Sequence, residues 1–388
     1  MRNKFFILFI LLLVFDFSFS QEKKKFKDVV NIFGYIKYLP SASFTDANDM
    51  GFDHLIHNRI NIKTYISNSF TARLDFRNRV FFGETVNYTP LYGQFVDVDN
   101  GEIDMSFLLV DEEKIVIHSI IDRAYLDFSQ GKWEIRAGRQ RINWGINLAW
   151  NSNDLFNAYN IIDFDYQERP GSDALRIQYY TGDVSHIEVA YKPGENIDES
   201  IIAGLYKFNA KKYDFQIIAA NYYKDMAFGG GWAGSIKNAG FKGEGTYFLD
   251  KKKMNDTTGV ASISTSIDYS FKNEVYVNAS ILLNSVGEDS SGALTTLFLT
   301  NQLTAKNLMP SKYSYFAQIS KPLNPLFVGS LSAIYGQGIN TLFFMPSVAY
   351  APKENWDISL TGQLYFGEEQ NAFKNLGNSL FLRVQFSY

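Results

Sequence analysis

Apolar and polar residues alternate with a period of two through much of this 388-residue chain. In residues 69–84 one parity is apolar except at Asn78, while the other parity holds a threonine followed by charged side chains. Successive side chains of a strand point to opposite faces, so this pattern predicts a long strand with one apolar and one wet face. Residues 54–66 repeat the pattern. Only Ser67 and Asn68 separate the two segments, which predicts a hairpin.

The last residues show the same alternation, and the chain stops on an aromatic residue. Leu380, Leu382, Val384, Phe386 and Tyr388 alternate with Phe381, Arg383, Gln385 and Ser387. This segment resembles the C-terminal strand of Gram-negative outer-membrane barrels, which the outer-membrane assembly machinery reads. The resemblance implies that Tyr388 contacts that machinery. An ordinary amphipathic edge strand is the alternative.

The same reasoning along the chain predicts 18 strands, with 16 as the alternative. A glycine-rich stretch at 229–234 is the place where the count could change by one hairpin. The predicted strands are 29–38, 54–66, 69–82, 117–129, 133–141, 174–180, 184–193, 201–210, 214–223, 226–235, 239–248, 259–270, 274–284, 312–320, 325–334, 342–350, 356–366 and 378–388.

Strand and connection lengths define the fold class. Many of these strands suit the roughly 9 to 11 residues that cross a bilayer better than the usual 5 to 6 of soluble proteins. Short turns fall on one side of the sheet, and long connections are predicted on the other side at 39–53, 83–116, 142–173, 285–311 and 367–377. We therefore predict an all-β, transmembrane antiparallel β-barrel over residues 29–388, with short periplasmic turns and long extracellular loops. A barrel of about 16 to 18 strands encloses an aqueous channel.

The first residues predict export. Arg2 and Lys4 precede an apolar run over 5–15 that is too short to span a bilayer, and small residues follow at 18–20. We expect residues 1–20 to be a cleaved signal peptide and 21–28 to be a periplasmic segment. An uncleaved membrane anchor is the alternative.

Composition excludes several other classes. The chain has no cysteine and only four histidines, so neither a metal site nor a cofactor is expected. A net charge of -4 gives no basic excess for nucleic acid. Some outer-membrane barrels are lipid hydrolases, which need a histidine beside a serine. Because His118 and Ser119 lie on opposite strand faces, and His54, His57 and His186 lie in no nucleophile motif, we expect no enzyme activity.

The wet parity is rich in basic residues, which predicts a basic lumen that favours anions. Lys192, Asp127, Glu134 and Glu188 also fall on this parity. The alternative is that the arginines are solvated, or are paired in a ladder across the wall that only holds water and shape. The predicted pore-lining residues are Arg59, Lys63, Arg73, Asp75, Arg77, Arg79, Arg123, Arg136, Arg176 and Arg383.

Residues 137–174 differ from the rest of the chain. They contain Gly138-Arg139-Gln140 at a strand end, then Asn143-Trp144-Gly145, and the return Arg169-Pro170-Gly171. These elements resemble porin-like outer-membrane barrels of Gram-negative bacteria, in the broad superfamily of phosphate-selective, carbohydrate-selective and alginate-export porins. The resemblance implies a channel of 16 or 18 strands with this loop folded inward as a constriction; an outward lid is the alternative. The candidate constriction residues are Asn143, Trp144, Gly145, Trp150, Asp154 and Arg169.

The expected function is therefore passive diffusion of small hydrophilic solutes across the outer membrane, with a preference for anions. The alternative is a plugged surface barrel whose long loops bind a polysaccharide or a protein. Outer-membrane lipid is the expected surrounding, and a homo-oligomer stays open because no interface can be read. The acidic residues Asp97, Asp99, Glu102 and Asp104 lack an EF-hand spacing and are interpreted as a solvated loop.

Overall fold

The computed structural model describes most of the chain. It covers residues 29–45, 49–99, 101–158, 161, 169, 171–253, 259–287, 303–369 and 372–388. The predicted signal peptide and the segment at 21–28 lie outside the described residues. Among the described residues, no helix has the length and apolar character needed to cross a membrane.

Strands dominate the structure. The first ten are Val30–Phe44 (β1), Met50–Tyr65 (β2), Phe70–Gly83 (β3), Ser106–Glu112 (β4), Ile115–Gln130 (β5), Trp133–Gln140 (β6), Ser172–Tyr180 (β7), His186–Lys192 (β8), Ile201–Ala210 (β9) and Tyr213–Tyr222 (β10). The others are Asp225–Ile236 (β11), Ala239–Asp250 (β12), Val260–Ser270 (β13), Tyr276–Asn284 (β14), Tyr313–Asn324 (β15), Phe327–Gln337 (β16), Thr341–Lys353 (β17), Trp356–Glu369 (β18) and Ala372–Ser387 (β19). Two short helices, Glu84–Tyr88 (α1) and Tyr92–Val96 (α2), lie between β3 and β4.

The strands close into one antiparallel barrel. Each barrel strand pairs with its neighbours in chain order, with one exception. Strand β4 pairs only with β5 and lies outside the closed wall, so β3 pairs directly with β5. The first strand pairs with the last, with Tyr35 opposite Ser387 and Phe44 opposite Asn378. Eighteen strands therefore form the closed wall, as the sequence predicted, and closure leaves no sheet edge exposed to lipid.

Burial alternates along the wall with the period of the sequence pattern. One parity is apolar and exposed, and it faces outward, while the other parity is polar and largely buried inside the barrel. Representative outward residues are Ile36, Ile56, Leu126, Leu175, Ile187, Ile202, Ile217, Phe228, Ile263, Ile281, Ile319, Leu331, Val348, Leu360 and Leu382.

Aromatic side chains pair across neighbouring strands at the end of the barrel that carries the short turns. Trp133 and Tyr179 lie with ring centroids 4.7 Å apart, and Trp356 and Phe386 with centroids 5.1 Å apart. Other pairs at the same level are Phe70 with Phe128, Phe208 with Phe215, Trp232 with Phe241, and Phe327 with Tyr350. This row forms an aromatic girdle of the kind found at a membrane interface.

Two of the predicted long loops are wrong. Strand β1 continues to Phe44 and β2 begins at Met50, so most of 39–53 is strand, and β18 and β19 likewise fill most of 367–377. These segments contain residues typical of turns, such as Pro40 and Gly51, which favour a loop from the sequence alone, yet both lie in the β1–β2 ladder. The prediction of a single loop over 83–116 missed β4, whose apolar run at 107–110 does not alternate.

Candidate functional site

The structure places all ten predicted pore-lining residues on the inward parity. Nine of them lie on β2, β3, β5, β6 and β7, and Arg383 lies on β19. We call the inward side chains of β1–β7 the charged wall. Their role in solute passage stays a prediction, but their contacts are defined.

Asp75 lies between two arginines of the charged wall. Its Oδ2 accepts from Arg59 Nη2 at 3.1 Å, and both of its carboxylate oxygens accept from Arg73 Nε, at 2.9 and 3.0 Å. The Asp75 side chain is buried, so these charge-assisted bonds offset the cost of removing its charge from water.

A second acid, Asp122, was missed by the sequence analysis. Its Oδ2 accepts from Arg59 Nη1 at 2.5 Å and its Oδ1 accepts from Arg77 Nη2 at 2.9 Å. Simple alternation puts residue 122 outside, because Arg123 is inside. In the structure the register shifts between Asp75 and Phe76, and this bulge turns both Asp122 and Arg123 inward.

A third ion-pair group lies nearer the short turns. Arg136 Nε donates to Asp127 at 2.8 Å and its Nη2 donates to Glu134 at 3.2 Å. Arg176 donates to the same Glu134 carboxylate. The alternative of a paired ladder across the wall is therefore the arrangement that these arginines adopt.

The charged wall is unequally exposed to solvent. The side chains of Arg73, Arg136 and Arg77 keep 30%, 21% and 17% of their surface exposed, although they point into the barrel. Arg59 keeps only 4%. Water therefore reaches part of this wall inside the barrel. Lys63 lies over the ring of Tyr65, with 4.7 Å between its Nζ and the ring centroid.

The connection from β6 to β7, residues 141–171 (loop 6–7), lies inside the barrel over its described residues. Trp144 Nε1 donates to Glu188 Oε1 on β8 at 2.7 Å. The carbonyl oxygen of Trp144 accepts from Gln216 Nε2 on β10 at 2.8 Å. Asn143 and Gly145 flank this anchor point. The predicted inward fold of the loop is thus what the structure describes.

The loop continues across inward polar side chains of β12 and β13. Glu244 accepts from the Ile146 backbone N–H at 2.6 Å. Asn147 Nδ2 donates to Ser264 Oγ at 2.6 Å, and Ser266 Oγ donates to Asn147 Oδ1 at 2.8 Å. We call the inward side chains of β10–β15 the loop-bearing wall. Its short hydroxyl side chains leave room for the loop and supply donors and acceptors for the loop backbone.

An apolar cluster fixes the middle of the loop. Trp150 is buried, and its ring lies edge-on to Phe316 of β15 with centroids 6.3 Å apart. Leu282 of β14 and Met309 belong to the same cluster. Burial of this large ring adds an apolar contribution to the hydrogen bonds that hold the loop.

The glycine-rich strand that made the strand count uncertain has a packing reason. On its inward face, a Cβ atom at Gly231 would lie 2.7 Å from Ile146 Cδ1, and one at Gly229 would lie 3.1 Å from Asn153 Oδ1. Asn153 Nδ2 donates to the Gly230 carbonyl at 3.0 Å. The glycines make room for loop 6–7 against the wall, so β11 is present despite its weak sequence pattern.

Asp154 is a buried carboxyl in the loop. Both of its carboxylate oxygens are buried, and Oδ2 lies 3.8 Å from Arg169 Nη1. Burial raises the pKa of Asp154 from 3.8 to about 7, opposed by the charges of Arg141 and Arg169. Of the six candidate constriction residues, Asp154 and Arg169 thus lie together, and Trp144 and Trp150 anchor the loop to two different parts of the wall.

The strand-end motif Gly138-Arg139-Gln140 has a structural role. Arg139 donates from Nε and Nη2 to Asp173 at 2.8 and 3.0 Å and from Nη1 to Asp99 at 2.7 Å. Its Nη2 also donates to the carbonyl of Ile103. Arg139 lies on the outward parity at the end of β6, where these contacts fasten the loop before β4 to the barrel wall.

The acidic loop at 97–104 is tied to basic partners. Asp97 lies 3.2 Å from His118 Nε2, and Asp99 accepts from Arg139. Asp104 accepts from both the backbone N–H and the hydroxyl of Ser106. Among the described residues, no group of three or more His, Asp or Glu side chains is positioned to hold a metal ion.

Comparison with known proteins identifies the fold. No protein-family model matches the chain, and no curated protein matches it. The structure is similar to Pseudomonas aeruginosa OprD, with a TM-score of 0.59 and 9% identity over 96% of this chain and 99% of that chain. It is also similar to OccK8 (OprE) from the same organism, with a TM-score of 0.57 and 9% identity over 92% and 98%.

A third similar structure is Pseudomonas aeruginosa OccK5 (OpdH), with a TM-score of 0.56 and 8% identity over 92% of this chain and 98% of that chain. At these identities the similarity shows the fold alone. The chain has the closed 18-strand antiparallel barrel fold of porin-like outer-membrane proteins, with an outward surface that is apolar, as a multi-pass outer-membrane barrel requires.

Proposed function

We propose that the protein is an outer-membrane channel for passive diffusion of small hydrophilic solutes, with a preference for anions. One observation carries the proposal: inward side chains of the charged wall, above all Arg73 and Arg136, keep water-accessible surface inside a closed barrel. Loop 6–7 packs mainly on the loop-bearing wall instead, which would leave most of the charged wall beside an aqueous path.

The anion preference rests on the excess of inward bases over inward acids. Pairing reduces the field of each arginine, but the bases remain more numerous, and low-dielectric walls focus the remaining field along the lumen. The inward bases of the charged wall are Lys37, Arg59, Lys63, Arg73, Arg77, Arg79, Arg123, Arg136 and Arg176, against Asp75, Asp122, Asp127 and Glu134.

Loop 6–7 is the proposed constriction. It narrows the barrel from the loop-bearing side, where Asn147 and Trp150 anchor it, and Trp144 anchors it to β8 and β10. One contact reaches the charged wall, where Arg123 donates to the Arg169 carbonyl. A solute would then pass between the loop and the arginines. Its polar groups would exchange water for contacts with side chains that are already arranged by their ion pairs.

Two features argue against enzyme chemistry as the main role. His118 Nδ1 accepts from Arg79 Nη2 at 3.0 Å, and its Nε2 lies beside Asp97. Ser119 instead donates to Asn78 on the outward face, so its hydroxyl does not meet His118. The proposed function therefore includes no enzyme activity.

The test is single-channel recording of the refolded protein in a planar bilayer. We expect stable open steps. Under a salt gradient, the reversal potential should have the sign of anion preference. A plugged barrel that only binds surface partners would give no stable steps. Open steps with cation preference would retain the channel and remove the electrostatic part.

Three finer expectations belong to the same proposal. The aromatic chain end at Tyr388 is the proposed contact for the assembly machinery, and outer-membrane lipid is the proposed surrounding of the outward face. A cleaved signal peptide at 1–20 would deliver the chain to the periplasm. A homo-oligomer is an open alternative, and cross-linking in native membranes would distinguish it from a monomer.

A further inference from the structure

A row of polar side chains interrupts the apolar outer face. Asn58 on β2, Asn78 on β3 and Ser119 on β5 are direct neighbours in register. All three lie on the outward parity, with the exposed apolar residues Ile36 and Ile56 around them. Polar groups at lipid-facing positions of a barrel cost free energy, so this row needs a physical reason.

The row is a continuous chain of hydrogen bonds. Ser119 Oγ donates to Asn78 Oδ1 at 2.6 Å, and Asn78 Nδ2 donates to Asn58 Oδ1 at 3.1 Å. Asn58 Nδ2 then donates to the Tyr35 carbonyl at 3.1 Å and to the Tyr388 hydroxyl at 3.2 Å. Each amide oxygen has a donor, so the row is satisfied within the chain, without a partner from the bilayer.

The chain of bonds ends on Tyr388. The Tyr388 hydroxyl donates to the carbonyl oxygen of Arg59 at 3.1 Å. Tyr388 and Gly34 exchange two backbone hydrogen bonds, both of 2.9 Å. The backbone of Tyr388 thus joins β1, while its side chain crosses β1 and reaches the next strand, β2.

Gly34 makes this crossing possible. A Cβ atom at position 34 would lie 2.0 Å from the Arg59 carbonyl oxygen and 3.1 Å from the Tyr388 hydroxyl. Any other residue would push the tyrosine away from β2. The ring covers a glycine on a sheet face, which is a known way to compensate the lost packing at such a position.

We propose that Tyr388, Gly34 and the row Asn58–Asn78–Ser119 form a latch that locks the seam between the first and last strands. Ordinary ladder bonds join β19 only to β1 and β18. The latch adds side-chain hydrogen bonds from Tyr388 to β2, and the bonds from Asn58 through Asn78 to Ser119 hold Asn58 in place for them. Opening the seam must therefore break contacts with β2 as well as with β1. The latch can form only when β1 and β19 pair, so it is present only in the closed barrel.

The proposal predicts an effect of unusual sign. Leucine at a lipid-facing position is normally more favourable than asparagine, so Asn58→Leu should stabilise a barrel in which the row has no role. If the latch acts, the same substitution breaks the connection between Tyr388 and Asn78. We then expect it to accelerate unfolding. This test concerns closure of the barrel and is independent of whether the channel conducts anions.

The experiment measures unfolding rates of the full-length protein refolded into vesicles, without assembly machinery. Tyr388→Phe keeps an aromatic chain end and removes only the hydroxyl. We expect unfolding about tenfold faster than for the wild type, which corresponds to ~1.4 kcal/mol, because the hydroxyl loses its hydrogen bonds to Asn58 and to the Arg59 carbonyl. Asn58→Leu should give a similar acceleration. The double variant should add little to either change because the two residues act in one chain of bonds.

Tyr206→Phe is the matched control. Tyr206 is an outward tyrosine of β9 whose hydroxyl makes no hydrogen bond within the described residues, so its loss should leave the rate unchanged. Unchanged unfolding in Tyr388→Phe would overturn the latch, as would slower unfolding in Asn58→Leu. If Tyr388→Phe folds poorly, Asn58→Leu decides the matter, because it leaves the chain end intact.

Discussion

The two inner walls of this barrel differ in composition and in what covers them: the charged wall is partly exposed to water, and the loop-bearing wall is covered by loop 6–7. The charged wall carries long basic side chains that point into water and are spaced by acids such as Asp75 and Asp122. The loop-bearing wall carries glycine and serine, and loop 6–7 covers it. The same barrel scaffold thus keeps one side accessible and gives the other side a loop to hold.

The difference lies in side-chain length and charge. A protein segment packed on a wall of arginines would remove their charges from water, which is costly unless acids pair with them. Much of that wall therefore stays in contact with water. Short hydroxyl side chains instead accept a loop closely. They bond to its backbone, as Ser264 Oγ bonds to the Trp150 carbonyl at 2.9 Å. An asymmetric lumen follows from the two compositions.

The largest effect is expected from Asp122→Ala on the charged wall. This change leaves Arg59 with half of its ion pairing while the guanidinium stays buried. Removing one partner of a buried pair costs about 3–5 kcal/mol. Thermal unfolding in detergent should show a strong loss of stability. Asp183→Ala, in a short turn, is the control; equal losses in both would contradict the role assigned to Asp122.

A smaller effect is expected on the loop-bearing wall from Gly231→Ala. The added methyl group would meet Ile146 of the loop, and overpacking of this kind costs about 1–3 kcal/mol. We expect the loop to shift and the single-channel conductance to change, with more current noise. Gly230→Ala is a matched control, because that residue points outward and its Cβ would lie 3.4 Å from its nearest neighbour, the Gln216 carbonyl. Identical recordings of the two variants would contradict the docking of the loop.

The third prediction concerns pH. The pKa of Asp154 is raised from 3.8 to about 7, so the docked loop favours the protonated acid. Its contribution to docking is complete below about pH 4 and is lost as the pH rises through about 7. Current fluctuations should therefore increase between about pH 5 and about pH 8. Asp154→Asn should flatten this dependence, while Glu244, which also faces the loop, retains its own. An unaltered profile in the variant would exclude Asp154 as the origin.

The smallest effect should come from Arg77→Ala. This substitution removes one exposed cation and frees part of Asp122, which keeps Arg59 as its partner. We expect the reversal potential of the folded variant under a salt gradient to move toward cation preference. Lys321→Ala, on the outward parity of β15 near a short turn, should leave it unchanged. An unchanged reversal potential in Arg77→Ala would contradict the role of the charged wall in ion selectivity.

The alternating pattern predicted all eighteen barrel strands, because an apolar outer face leaves a direct trace in the sequence. It also placed arginines such as Arg73 and Arg383 on the inward parity. Residues typical of turns, such as Pro40, Gly51 and Gly377, obscure the alternation at the far ends of β1, β2, β18 and β19, so these segments favour loops from the sequence alone.

The alternating pattern does not predict two features of the interior. Asp122 turns inward through a bulge, and a single extra residue in one strand has no mark in the alternation itself. The partners of loop 6–7 lie about a hundred residues away in the chain, as with Asn147 and Ser264. Gly229 and Gly231 were the available signal, since glycines on an inward face indicate close approach of another segment.

The most direct test of the two-wall account is cysteine accessibility, since the chain has no cysteine of its own. Arg73→Cys lies on the charged wall and Ser264→Cys lies beneath loop 6–7. We predict that a small charged thiol reagent modifies residue 73 and alters the open current, while residue 264 reacts at least about tenfold more slowly because the loop must first open. Equal rates at the two positions, or faster reaction at 264, would contradict the account.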